Sequence, residues 1–92
     1  MELVTRHLVI VGRVQGVGFR MAMQRQAVQL GIVGWVRNRR DGRVEAVIQG
    51  APEAMAHMLA WTRHGPRHAE VERVEVEPGE GAYTGFEMLA TE

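Results

Sequence analysis

Apolar positions recur along this chain with two different periods, and the places where the period changes divide it into elements. The run "HLVIV", His7 to Val11, is almost continuously apolar and rich in β-branched residues, the pattern of a strand covered on at least one face. From Phe19 the period lengthens. Phe19, Met23, Ala27 and Leu30 recur at helical spacing with Gln24, Arg25 and Gln29 elsewhere, and Gly31 stands where a helix often ends, so "FRMAMQRQAVQLG" predicts an amphipathic helix. Met21 and Met23 are expected to bracket its core face. "IVGWVRNRRDGRVEAVIQG" returns to strand-like runs, two of them joined by "RDGR", and Asp-Gly between such runs is a strong hairpin signal. "APEAMAHMLAWTRHG" places Pro52 at the start of a helix, Met55, Met58, Leu59 and Thr62 on one face, and Gly65-Pro66 at the stop. "AEVERVEVEP" reads as a half-exposed strand and "YTGFEMLA" as a weaker last one.

Strand, helix, strand, strand, helix, strand, with a short extra strand after it, is the α+β order of a split βαβ sandwich (βαββαβ). Both helices are expected on one face of an antiparallel sheet, with the other face open. Right-handed crossovers put the first and third strands in the middle, so the glycine-rich segment after the first strand opens at one end of the sheet, beside the second. No linker, repeat or low-complexity stretch interrupts the pattern, which predicts one domain over residues 1–92.

Composition narrows the chemistry. The 92 residues include no cysteine, which excludes disulfide scaffolds, thiolate metal sites and cysteine nucleophiles, and makes a reducing cytoplasm the expected location. No apolar run approaches the roughly 18 residues of a membrane span, and "MELVTRHLVIVG" lacks the features of a secretory leader, so neither membrane nor export is expected. The 11 basic residues balance 11 acidic ones, so there is no net field for nucleic acid, and an anionic partner should be small and bound locally. Every one of those basic residues is Arg. The absence of Lys removes a Schiff base and a Walker-type phosphate lysine.

The segment "VGRVQGVGFR", Val11 to Arg20, concentrates glycine between a strand and a helix. It is not a Walker loop, which needs Lys, nor a dinucleotide fingerprint, whose third glycine is replaced by Met21. A cysteine-phosphatase loop has its nucleophile six positions before its Arg, where this chain has Val14. What remains is an anion nest: the N–H groups of Gln15, Gly16, Val17, Gly18 and Phe19 can turn inward at a helix N-terminus, with Arg20 at the mouth. Gly16 and Gly18 are equally accounted for by a tight turn that needs positive φ. Arg20 favours the anion, since a lone cation in the first helical turn opposes the dipole by about 0.3–1 kcal/mol. Asn38, three residues before Asp41, reads from its position alone as the start of a turn. His7, His57, His64 and His68 are scattered without metal-ligand spacing, and Arg37, Arg39, Arg40 and Arg43 read as a solvated hairpin face.

Taken together, "GRVQGVGFR" and "GWVRNRRDGRVEAVIQG" resemble the acylphosphatase family, and the likeness extends through Gly65-Pro66 and the acid-rich strand over nearly the whole chain. The resemblance implies a ferredoxin-like fold and hydrolysis of carboxyl-phosphate anhydrides with no metal or other cofactor. It implies phosphate held by the Gln15–Arg20 loop and the Arg20 side chain, and a water positioned by Asn38. The implied partner is a small acyl phosphate, with inorganic phosphate as product and inhibitor and the protein acting as a monomer. One departure is "FEMLATE", which lacks the basic residue many members have in the last strand. The rival reading is an RNA-binding module, because "QGVGF" echoes the Gly-Phe pattern of an RRM on the same fold; but that pattern belongs in a third strand, whereas here it follows the first. A phosphate-binding domain without turnover is a third possibility.

Overall fold

A computed structural model describes residues 2–92. Its elements are β1 (Val4–Arg13), α1 (Phe19–Leu30), β2 (Val33–Asn38), β3 (Val44–Gly50), α2 (Pro52–Thr62), β4 (Glu70–Pro78) and β5 (Phe86–Met88). The sheet order is β4-β1-β3-β2-β5, with β1 and β3 at the centre as the crossover rule requires. Both helices pack on one face. Leu8 and Ile10 of β1 and Ala46 and Ile48 of β3 meet Phe19, Met23 and Ala27 of α1 and Met58 of α2 in one buried cluster. Gly31 ends α1 in the left-handed conformation, and the helix stops there because that turn sends the Gly31 and Ile32 N–H groups back to Val28 O and Ala27 O. No helix among the described residues is long and apolar enough to cross a membrane.

Three details differ from the sequence pattern. Met21 is 51% exposed, not core: it lies two residues from both Phe19 and Met23, about 200° round the helix from each. β1 is longer than its apolar run, because β3 pairs with it from Val4 to Ile10 and β4 from Arg6 to Arg13, so backbone ladders draw polar flanks into the strand. The sheet is also not wholly antiparallel, since β5 runs parallel to β2.

The length of the connection explains that direction. The seven residues 79–85 between β4 and β5 reach roughly 25 Å when extended, and crossing four strand spacings takes about 19 Å. Too little chain remains to climb the sheet before turning back. The path can be followed along one sheet end: Gly79 N–H donates to Thr5 O at 3.1 Å, Gln49 Nε2 donates to Gly81 O at 2.8 Å, and Gly34 N–H donates to Gly85 O at 2.9 Å. β5 therefore starts at the end where β2 starts.

Candidate active site

At the opposite end of the sheet β1 finishes in the glycine segment. Val14 is 1% exposed, so the position that a cysteine phosphatase gives its nucleophile is here a core side chain. Gly16 and Gly18 have φ of 73° and 76°, which L side chains rarely adopt, so the turn alone requires glycine. Among the described residues, and the immediate chain neighbours aside, no atom stands within 4 Å of where a Cβ would be on either, so the space above them is open as well. Both explanations of the glycines hold together.

Gly18 caps α1 without a side-chain hydrogen bond, and the first turn has no acidic residue. Among the described residues, no backbone N–H from Gln15 to Met21 meets a protein acceptor; the first helical bond is Ala22 N–H to Gly18 O, at 3.1 Å. All of the residues from Gln15 to Met21 except Val17 line a cleft of about 250 Å³, together with Val14, Asn38 and Met88. The sheet order brings Asn38 there: β1 and β2 both run antiparallel to β3, so their C-terminal ends lie at the same edge. Arg20 has no ion-pair partner and the Asn38 carboxamide makes no hydrogen bond among the described residues. A cation, a bifunctional amide and a row of unpaired N–H groups thus share one opening.

The other loop residues point elsewhere. The Phe19 ring is buried and tilted against Trp61 at 5.5 Å, so this residue offers the loop its backbone only. Val17 packs on the core. The Gln15 carboxamide is already bonded: its Nε2 donates to Arg39 O at 2.7 Å and Arg43 O at 2.9 Å, across the β2–β3 connection. A second depression, between Arg13, Gly16, Val17, Arg67 and His68, holds neither Arg20 nor Asn38.

Sequence reasoning missed the Gln15 side chain and the apolar rim made by Met21 and Met88. It also missed how the last residues hold β2. Leu89 N–H donates to Val36 O (2.9 Å), Glu92 N–H donates to Asn38 O (3.0 Å), and Arg40 N–H donates to Glu92 O (2.8 Å). The last residues of this chain thus hold the end of β2 through backbone bonds.

On the uncovered face of the sheet, Glu45 accepts from His7 Nε2 at 2.6 Å and Arg37 Nε at 2.8 Å. Partial burial works to raise the Glu45 carboxyl, but the hydrogen bonds from His7 and Arg37 and the charges of both outweigh it and hold the group below its ordinary value. Arg37 also stacks on Trp35, 4.9 Å from the ring centroid, so this aromatic is already covered and is not a bare platform for a nucleic-acid base. The hairpin arginines are only partly solvated: Arg37 pairs with Glu45 and Glu92, and Arg39 pairs with Asp41.

Fold and cleft define a ferredoxin-like α+β protein with a glycine loop at an uncapped helix N-terminus. The family model for acylphosphatase matches residues 6–88. An acylphosphatase of Thiobacillus denitrificans is 59% identical over 83 residues, covering 90% of this chain and 93% of its own, and one of Thermococcus kodakarensis is 56% identical over 91 residues, covering 97% and 99%. The solved acylphosphatase of Coxiella burnetii superposes with a TM-score of 0.91 at 32% identity, over 95% of this chain and 93% of that one. The chain belongs to the acylphosphatase family.

Proposed function

We propose that the protein hydrolyses acyl phosphates to a carboxylate and inorganic phosphate by direct attack of water at phosphorus, with no metal and no covalent enzyme intermediate. The N–H groups of Gln15, Gly16, Val17, Gly18 and Phe19 and the guanidinium of Arg20 hold the non-bridging phosphate oxygens. Asn38 orients the water, accepting a hydrogen bond from it through Oδ1. The water oxygen bonds to phosphorus as the phosphorus–acyl oxygen bond breaks, the electron pair leaves on the carboxylate, and the water proton passes to a phosphate oxygen. A carboxylate is a good leaving group, so no strong general acid is required. The loose transition state needs positioning and charge stabilisation, which backbone donors and one fork of N–H groups supply.

The observation that supports this most is that Gln15, Gly16, Gly18, Phe19 and Met21, whose N–H groups have no partner among the described residues, line the same cleft as Arg20 and Asn38. The same reading takes residues 1–92 as one monomeric domain working in the cytoplasm, a setting that the cysteine-free composition suits. Purified protein in excess chelator is expected to hydrolyse acetyl and benzoyl phosphate, to turn over phosphate monoesters poorly, and to be inhibited competitively by inorganic phosphate. Loss of turnover in chelator with recovery on adding a divalent ion would overturn the mechanism.

A further inference from the structure

The loop and Asn38 sit on strands that do not touch. β3 lies between β1 and β2, so the two ends are two strand spacings apart, about 10 Å, and nothing in the sheet ladder joins them directly. One side chain does. Gln15 Nε2 has two hydrogens, and it directs them to Arg39 O and Arg43 O. Those carbonyls occupy the neck of the hairpin on either strand: Arg39 follows Asn38, and Arg43 precedes Val44, the residue that pairs with Asn38. On its own backbone, Gln15 adjoins Gly16. A single amide therefore ties the start of the phosphate loop to both chains flanking Asn38.

Resting on the reading of the site given above, we propose that Gln15 is a positioning residue: its carboxamide sets the separation between the phosphate nest and the Asn38 side chain, and so the approach of the water to phosphorus. Attack depends steeply on that separation, since displacement of a reacting group by about 1 Å can cost on the order of 100-fold in rate. Phosphate binding depends on it little. The nest is made by one continuous segment whose shape follows from the φ angles of Gly16 and Gly18 and from burial of Val14 and Phe19. Loss of the clamp should therefore separate turnover from phosphate affinity, whereas a merely structural glutamine would weaken both through a damaged fold.

The test is a double-mutant cycle on the whole protein, with acetyl phosphate as substrate and inorganic phosphate as probe of the nest. Gln15→Met keeps the length and removes both donors; Gln15→Glu keeps the shape but sets an acceptor-only carboxylate against two carbonyls. Each is expected to lower kcat roughly 10- to 100-fold while the inhibition constant for phosphate moves less than about threefold. In an Asn38→Ala background the same substitutions are expected to have little further effect on kcat, because the group they position is gone. Wild-type kcat in both Gln15 variants, a parallel loss of phosphate affinity, or an equal fold-loss with and without Asn38 overturns the clamp alone. Unchanged kcat in Asn38→Ala by itself overturns the reading of the site, and the clamp with it.

Discussion

Arg20 illustrates how much a single position can decide. It stands in the first turn of α1, where its charge opposes the helix dipole, and it has no carboxylate partner among the described residues. An anion between the guanidinium and the open N–H groups removes that conflict. A planar fork grips two phosphate oxygens and an ammonium does not, so Arg20→Lys is expected to lower kcat/KM for acetyl phosphate roughly 10- to 100-fold, the worth of one charge-assisted hydrogen bond of about 1.5–3 kcal/mol. An unchanged kcat/KM would mean that Arg20 does not grip phosphate. Asn38 acts on a different quantity. Its carboxamide is unbonded among the described residues and adds little to holding the ground-state anion, so Asn38→Ala is expected to cost two to three orders of magnitude in kcat, about 2.7–4 kcal/mol, with phosphate inhibition nearly unchanged. Asn38→Asp should do no better near neutral pH, because a carboxylate there faces a phosphate of the same sign. Near-full activity in either variant would reduce Asn38 to a turn residue. Both positions stand out in the sequence, Arg20 through its glycines and Asn38 through the family likeness. The Gln15 carboxamide does not, because its partners are backbone carbonyls 24 and 28 residues away, and no spacing rule encodes them.

Among the elements, the three-strand patch on the uncovered face makes stability depend on pH. Glu45 of β3 bonds to His7 of β1 and Arg37 of β2, which holds its carboxyl below the ordinary 4.5. As pH falls, the unfolded chain takes up this proton first. The stabilisation is therefore complete above about 4.5 and is lost as pH drops through that value toward the lower folded one. Denaturant midpoints followed into the acid range should fall more steeply for the wild type than for Glu45→Gln; equal slopes would contradict the assignment. The interacting residue types are visible in the sequence, but the register that sets Arg37 opposite Glu45 is not. The direction of β5 escaped for a similar reason. Three residues have too little pattern to reveal it, and the geometry is decided by where β4 ends and how far seven linking residues reach. Where the apolar period was sustained, as in α1 and α2, both existence and buried face were legible: Phe19, Met23 and Ala27 are buried as their spacing requires.

For the whole molecule, the order of elements carried the architecture, since crossover handedness leaves few ways to close a βαββαβ chain. That architecture brings the ends of β1 and β2 to one edge, and so sets side by side the loop and the hairpin neck of the proposed site, far apart in sequence. The central claim is that water attacks phosphorus, not the carbonyl carbon, in the cleft they form and without a metal. It is tested most directly by hydrolysing acetyl phosphate with the purified protein in ¹⁸O-labelled water containing chelator, then weighing both products by mass spectrometry. The account predicts sustained turnover with one label in inorganic phosphate and none in acetate. Label in acetate would place the attack at the carbonyl carbon, and turnover that stops in chelator would place it on a metal; either result contradicts the account.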